Sequence, residues 1–242
     1  MTRNSPPTAL ASTLHDPEGR LLAALRERGG ALACYAGVYV AATDATERRV
    51  VEYLAAHGAS VLGGKNEQVG TARRLAVQAG FDAGHQAFLY CDLDRWLHWA
   101  GRFPEELDSL PARLAARRPR PWYVCLGRTA RAFRTHPYVQ RVAEGATNRA
   151  LSLALGRRVD ATAGACWLSR DGASLILHHS SEPTNATDLE WPALIYRANP
   201  RRLAYVATEG LEFETAEFFA AEVQAAGDAA AWQRAHYERP EV

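Results

Sequence analysis

The segment from Ala87 to Asp94 constrains the fold of this chain more than any other part of its sequence. The apolar run from Ala87 to Cys91 predicts a buried strand. Asp92 and Asp94 follow, and at this spacing on an extended chain their side chains share one face, about 7 Å apart. At the end of a strand they can converge on Mg²⁺ or Mn²⁺, which would hold a substrate phosphate. The alternative is that Asp92 caps the next helix and Asp94 is solvated.

Length and composition are those of a globular α/β protein. The 242 residues can bury a sizeable core, and 48% hydrophobic with 23% charged residues is ordinary for a folded domain. No internal repeat or long flexible linker divides the chain. We therefore expect a single domain over residues 1–242, in which residues 1–8 form a disordered tail.

Charge, cysteine content and hydropathy argue against several classes of protein. A net charge of +1 gives no sign of a nucleic-acid partner. The four cysteines are far apart and form no C-x-x-C pair, which argues against a zinc site and a disulfide framework. No apolar run approaches the roughly 18 residues of a transmembrane segment, and the N-terminus has no signal-peptide pattern. A cytoplasmic protein is expected.

The order of the predicted elements indicates a parallel sheet. A strand from Tyr35 to Ala42 is followed by an amphipathic helix and by a second strand from Ala59 to Leu62. Strand, helix, strand is the unit from which parallel α/β sheets are built. Further helices are predicted at Val69–Ala79, Glu105–Arg118, Tyr138–Leu155 and Ala216–Ala226, and further strands at Trp122–Leu126 and Leu203–Thr208. In the helix that begins at Tyr138, Val139 and Val142 are expected to face the core.

Three groups of residues occur in an order that a known family shares. The first is Gly64-Lys65, followed by a helix and by the strand that ends in Asp92-Leu93-Asp94. The second is Ala42-Thr43-Asp44, at the end of the first predicted strand. The third comprises Gly164–Arg170, Thr187-Asp188 and Arg202–Val206. In this order they resemble the nucleotide-sugar-dependent glycosyltransferases of the GT-A fold.

The similarity is to dolichol-phosphate mannosyltransferase-like and glycosylphosphoglycerate synthase-like enzymes, in which a Gly-Lys-Gly segment precedes a strand ending in a D-x-D motif. It implies a GT-A-like three-layer sandwich around a mostly parallel central sheet. It also implies metal-dependent transfer of a sugar from a UDP- or GDP-linked donor to an unidentified acceptor. The chain departs from the pattern in two places, since Asn66 replaces the second glycine and Thr43-Asp44 replaces the usual Asn-Glu.

The resemblance also implies roles for individual residues. Asp92 and Asp94 would hold Mg²⁺ or Mn²⁺, with Asp94 as the more direct ligand. A late metal ligand would come from His178 or His179, and the general base would be Asp188, with Glu190 as a near alternative. The nucleotide diphosphate would contact Thr43, Asp44, Gly64, Lys65 and Asp92. The alternatives are a solvated loop for Lys65, a surface pair for the histidines, and an ordinary helix start for Asp188.

Two other functions remain open at this point. A non-catalytic GT-A-like module would bind a sugar nucleotide or a partner protein, and the missing Asn-Glu element is compatible with it. A sugar-phosphate nucleotidyltransferase has a similarly organised sheet. That class needs a glycine-rich loop with a basic residue directly after the first strand, whereas residues 41–47 contain no glycine.

Overall fold

A mixed seven-stranded sheet forms the centre of the computed structural model, which describes residues 7–64 and 68–238. The strands are β1 (Ala9–Leu14), β2 (Val38–Thr43), β3 (Ala59–Gly64), β4 (Ala87–Cys91), β5 (Tyr123–Arg128), β6 (Ala165–Ser169) and β7 (Leu203–Thr208). They lie in the order β3-β2-β1-β4-β6-β5-β7. β6 runs antiparallel to β4 and β5, and the other pairs are parallel. The carboxyl ends of all strands except β6 therefore meet at one edge.

Helices cover both faces of this sheet. They are α1 (Leu22–Arg28), α2 (Arg48–Ala56), α3 (Val69–Asp82), α4 (Leu93–Arg102), α5 (Pro104–Ala115), α6 (Ala130–Thr135), α7 (Tyr138–Ala154), α8 (Arg170–His179), α9 (Thr187–Ala198), α10 (Thr215–Phe218), α11 (Ala220–Ala226) and α12 (Ala229–Tyr237), with 3₁₀ helices at Gly29–Cys34 and Pro200–Arg202. α1, α2, α4 and α5 share one core with the sheet, and α3, α8 and α9 share the other. The predicted three-layer fold class is confirmed. Across the described ranges, no helix is long and apolar enough to span a membrane.

β4 lies near the middle of the sheet, and all five of its residues are buried. Phe88 and Tyr90 belong to one hydrophobic core, while Leu89 and Cys91 belong to the other. A strand covered on both faces is apolar at every position rather than at alternate positions. This is why the segment could be recognised as a strand from its sequence.

The sequence pattern does not predict β1, because the strand signal of its residues is weak. They are Ala-Leu-Ala-Ser-Thr-Leu, without a valine, an isoleucine or an aromatic residue. The strand pairs with both β2 and β4, so partners distant in the sequence stabilise it. Thr8 is buried, and its carbonyl oxygen accepts a hydrogen bond from the amide of Ala36 at 2.9 Å. The prediction of a disordered tail over residues 1–8 is therefore wrong at Thr8.

The expected orientation of the first turns of α7 is also wrong. Val139 and Val142 are 52% and 53% exposed, although the helical spacing placed them in the core. The buried residues of α7 are Asn148 and Leu151, in its second half. The helix therefore packs on the rest of the protein through its C-terminal half, and a periodic pattern does not reveal which half of a helix has a partner.

His136, the residue after α6, is a buried histidine that the fold holds neutral. It is 2% exposed, and its Nε2 lies 3.2 Å from the carbonyl oxygen of Leu211. Burial, and then the positive charges of Arg128 and Arg95, lower its pKa to about 3. A histidine in an unfolded chain titrates near 6.5, so between about pH 6.5 and pH 3 only the unfolded chain binds the proton. The stability that depends on neutral His136 is complete above about pH 6.5 and is lost as the pH falls.

We expect His136→Gln to make the free energy of unfolding less sensitive to acid, because glutamine can still donate to Leu211 and does not titrate. In the wild type this histidine contributes a slope of up to about 1.4 kcal/mol per pH unit between roughly pH 6.5 and pH 4. Urea denaturation across that range measures the slope. His178→Gln, at an exposed histidine, is the control. Equal slopes for the wild type and His136→Gln would contradict the prediction.

Candidate active site

A cavity of about 510 Å³ opens at the carboxyl ends of β1, β2 and β4. β1 lies between β2 and β4 in the sheet, so the strand order reverses between β1 and β4. Open α/β sheets bind their ligands in the crevice at such a point. The lining includes Thr13 from β1 and Thr43 from β2, together with Asp92 and Asp94. The structure thus brings three of the predicted site residues, Thr43, Asp92 and Asp94, into one cavity.

Asp92 is the N-cap residue of α4, but its side chain makes no capping hydrogen bond. Its Oδ1 instead accepts hydrogen bonds from the hydroxyls of Thr13, at 2.7 Å, and Tyr90. Its Oδ2 lies 3.6 Å from Nη2 of Arg73. At Gly164, where φ is +66°, a Cβ atom would lie 2.7 Å from that same oxygen. The carboxylate therefore occupies space that a glycine leaves open, and it does not form the side-chain cap of the alternative interpretation.

Asp94 and Glu214 place two further carboxylates at this cavity. Asp94 is half-buried in the first turn of α4, and its Oδ1 accepts a hydrogen bond from the amide of Arg95 at 2.8 Å. Glu214 is 4% exposed, with Oε1 3.5 Å from Nη2 of Arg95 and with no hydrogen-bond partner for Oε2 among the described residues. Burial, and then the charges of Glu214 and Asp92, raise the pKa of Asp94 to about 7. The negative charge here is only partly compensated.

Glu214 reaches the cavity because the segment after β7 is anchored on α4. His98 of α4 contacts two carboxylates of this segment, with Nδ1 2.5 Å from Oε2 of Glu217 and Nε2 3.2 Å from Oε1 of Glu212. Arg131 adds an ion pair of 2.5 Å to Glu212. These contacts lie on both sides of Glu214 in the sequence, so they fix the stretch of backbone from which its side chain enters the cavity.

Arg73 connects the cavity to α9. It is 4% exposed, and it donates from Nε to the Tyr90 hydroxyl at 3.1 Å and from Nη1 to Thr187 Oγ1 at 3.0 Å and to the Asp188 carboxylate. Arg73 is among the residues that line the cavity, and Asp188 is not. Burial raises the pKa of Asp188 to about 6, although the positive charge of Arg73 acts in the opposite direction. In this geometry Asp188 positions Arg73.

The residues predicted to contact the nucleotide diphosphate lie near the same edge where the structure describes them. Thr43 lines the cavity, with its Oγ1 2.8 Å from Nδ1 of His15. Asp44 is exposed in the turn after β2. Gly64 ends β3 and lies in register with Thr43. Lys65 lies outside the described residues. The nucleotide-binding roles of these four residues stay predictions.

The structure does not bring His178 and His179 to the cavity. Both are exposed in the last turn of α8, and Nδ1 of His178 lies 2.7 Å from the carbonyl oxygen of Ser174. Glu190, the alternative base, accepts a hydrogen bond from the Ser180 hydroxyl and does not line the cavity either. We therefore leave the two histidines and Glu190 out of the site proposed below.

The carboxylates of the cavity fit a divalent cation in their chemistry. Asp92, Asp94 and Glu214 offer oxygen atoms, which are the ligands that Mg²⁺ and Mn²⁺ prefer. The unpartnered Oε2 of Glu214 and the raised pKa of Asp94 show unused capacity to bind positive charge. In the part of the chain that is described, no three His, Cys, Asp or Glu side chains are already grouped as a metal site.

Four further residues line this cavity that were not predicted from the sequence as site residues, namely Thr13, Arg73, Arg95 and Glu214. A usable signal exists for Arg73. It lies at helical spacing between Gly70 and Val77, both of which are buried. Arg74 is one position off this face and contacts the carbonyl oxygen of Glu182. The same periodicity that predicts α3 therefore identifies Arg73 as its buried arginine.

Solved structures of glucosyl-3-phosphoglycerate synthase from Mycobacterium tuberculosis are similar to this chain. The complex with Mg²⁺ and uridine diphosphate gives a TM-score of 0.58 at 12% identity, covering 84% of this chain and 69% of that one. The complex with Mn²⁺, UDP-glucose and phosphoglyceric acid gives 0.57 at 12% identity, with coverages of 84% and 69%. The chain has the GT-A fold. No protein-family model matches the sequence, and no curated protein matches it either.

Proposed function

We propose that this protein is a metal-dependent glycosyltransferase that uses a UDP-linked sugar as its donor. The observation that carries the proposal is the cavity at the strand-order reversal of a GT-A fold, in which Asp92, Asp94 and Glu214 lie beside Arg73 and Arg95. The similar structures support the choice of donor, because they are complexes with UDP or UDP-glucose and with Mg²⁺ or Mn²⁺.

Asp94 and Glu214 are the residues that would hold the cation, with Asp92 beside them. When bound, a divalent ion supplies Lewis-acid stabilisation of the diphosphate that leaves the sugar. Glu214 takes the place of the late ligand that His178 or His179 was expected to supply. Its side chain is buried at the cavity and has a free oxygen atom, whereas the two histidines are exposed.

The two cavity arginines would contribute positive charge to donor binding. Arg73 is fixed by Tyr90, Thr187 and Asp188, so its guanidinium is already in place before a ligand arrives. Arg95 lies beside Glu214, and its Nη1 has no hydrogen-bond partner among the described residues. A preorganised guanidinium binds phosphate oxygens at a low entropic cost. Asp188 does not line the cavity and its carboxylate is hydrogen-bonded to Arg73, so we assign it a positioning role instead of the role of base.

A second candidate is a GT-A-like module that binds a sugar nucleotide without catalysis. The contacts of Asp92 favour this non-catalytic candidate. Thr13 and Tyr90 already donate hydrogen bonds to its carboxylate, and Arg73 already balances its charge. A carboxylate so engaged has less to offer a metal ion than a free one. Under this hypothesis the nucleotide binds, and no transfer or hydrolysis of the donor follows.

Calorimetric titration with UDP, GDP and UDP-glucose, in Mn²⁺ and in EDTA, tests the proposal. We expect Mn²⁺ to strengthen UDP binding by at least about tenfold, because the cavity carboxylates would hold the ion and it would supply positive charge to the diphosphate. GDP should bind more weakly than UDP. Equal binding of UDP in Mn²⁺ and in EDTA would contradict the metal dependence. Tight binding of UDP-glucose without hydrolysis or transfer to any small acceptor would favour the non-catalytic module.

A further inference from the structure

The free edge of β7 is bordered by arginines from three parts of the chain. β7 is the last strand in the sheet order. Arg117 follows α5, Arg157 and Arg158 follow α7, and Arg201 precedes β7, and all four are exposed. Together with the first residues of β7, they line a cavity of about 500 Å³. We call Arg117, Arg157, Arg158 and Arg201 the β7-edge cluster.

Two members of the β7-edge cluster are held in place by the strand itself. Arg157 donates from Nη1 to the carbonyl oxygen of Leu203 at 2.8 Å, and Arg117 donates from Nη2 to the carbonyl oxygen of Tyr205 at 3.3 Å. These carbonyl groups lie two residues apart on an extended strand, which is about 7 Å. Each guanidinium carries five N–H groups in a fixed fork, so most of its donors stay available. The strand edge thus presents two oriented guanidiniums side by side.

The charge of the β7-edge cluster is not compensated within the described part of the chain. No carboxylate there forms an ion pair with any of its four guanidiniums, and those of Arg117 and Arg157 donate to backbone carbonyl groups. Arg128, by contrast, is paired with Asp160 and Glu144. Because the whole chain carries a net charge of only +1, this concentration of positive charge is local. Neighbouring like charges repel each other, and a bound anion would relieve that repulsion.

We propose that the β7-edge cluster binds an anion that carries two or more phosphate groups. Guanidinium forks match phosphate oxygens in geometry, and several uncompensated arginines around one concavity suit several phosphates. The volume lies within the range of small-molecule sites, and a concave surface favours a compact ligand. Arg201 and Leu203 are at the start of β7, whereas the candidate active site lies at the carboxyl ends of the strands. The site is therefore separate from the donor site.

Titration of the full chain with inorganic tripolyphosphate in EDTA tests this proposal. We expect binding that weakens by at least about tenfold in the double variant Arg117→Gln/Arg157→Gln. Arg158→Gln/Arg201→Gln should have the same effect, and it leaves the hydrogen bonds to the strand edge intact. Arg48→Gln/Arg49→Gln is the matched control, because it removes two exposed arginines that are paired with Glu52 and Glu47 on α2. Its affinity should stay within about twofold of the wild type.

Further arms distinguish the source of the phosphate groups. Co-sedimentation with cardiolipin vesicles, whose headgroup carries two phosphates, against phosphatidylcholine vesicles tests a lipid headgroup, and loss of that binding in both cluster variants supports the proposal with a membrane source. Wild-type affinity for tripolyphosphate in both cluster variants overturns it, as does an equal loss in the control. Binding of single-stranded DNA without binding of tripolyphosphate also overturns it. UDP binding in Mn²⁺ should be unchanged in every variant. A failure of the proposed phosphate site can therefore be distinguished from a failure of the proposed function.

Discussion

Asp94→Asn is expected to abolish the Mn²⁺ dependence of UDP binding and to lower kcat/KM for sugar transfer by at least about 100-fold. The substitution keeps the size and shape of the side chain and removes one of the negative charges that would hold the cation. Direct titration with Mn²⁺ measures the loss of the ion, and titration with UDP measures its consequence for the donor. Glu214→Gln should act in the same direction, because its buried carboxylate faces the same cavity.

The stability of Asp94→Asn should change in the opposite direction. Because the pKa of Asp94 is raised to about 7, the folded protein carries an unfavourable charge at this position once the pH exceeds that value. In EDTA near pH 8 we expect the variant to be more stable than the wild type by about 1–2 kcal/mol, after allowance for solvent screening. Below about pH 3, where this side chain is protonated in both the folded and the unfolded chain, the difference should disappear.

Asp171→Asn is the matched control for Asp94→Asn. Asp171 lies in the first turn of α8, as Asp94 lies in the first turn of α4, and it is exposed. We expect no change in Mn²⁺ binding and a change in stability of less than about 0.5 kcal/mol. A variant at Asp94 that loses stability at alkaline pH and keeps its response to Mn²⁺ would show that the carboxylate is structural.

The fold was predictable from the sequence where its elements are defined by local patterns. β4 is apolar throughout because it is covered on both faces, and β7 was predicted with the bounds that the structure has. β1 was not predictable in this way, since its small and polar residues become a strand only through pairing with β2 and β4. β6 was likewise missed, because it owes its place to antiparallel pairing with β4 and β5. Pairing between distant segments leaves little trace in either sequence.

The same distinction applies to the candidate site, where residues next to predicted strands were predicted and residues placed by distant contacts were not. Asp92, Asp94 and Thr43 follow strands whose positions are readable, so they were predicted and do line one cavity. Glu214 was not predictable, because its place depends on contacts such as that between His98 and Glu217, which are 119 residues apart. The two adjacent histidines were the metal ligands expected from the later part of the sequence, whereas the buried side chain at the cavity is that of Glu214. Neither Lys65 nor its two following residues lie within the described part of the chain.

Arg73→Gln is the second substitution for which we expect a large effect, in this case on stability. Arg73 is 4% exposed and contacts Asp188, Thr187 and Tyr90, with Asp92 at 3.6 Å. Removing its charge leaves two carboxylates in a poorly solvated site without their counter-ion. Breaking a buried ion pair from one side in this way costs about 3–5 kcal/mol. Urea denaturation at neutral pH measures the free energy of unfolding.

Arg74→Gln is the control, because Arg74 is the next residue on α3 and contacts the Ser180 hydroxyl and the Glu182 carbonyl oxygen, with no ion pair among the residues that the structure describes. We expect it to cost about 1 kcal/mol. The double variant Arg73→Gln/Asp188→Asn should recover part of the stability that Arg73→Gln loses, since it neutralises the stranded carboxylate. A purely catalytic Asp188 predicts a different result, in which Asp188→Asn abolishes transfer without any coupling to Arg73. Additive effects of the two substitutions would therefore contradict the positioning role of Asp188 and return it to the role of general base.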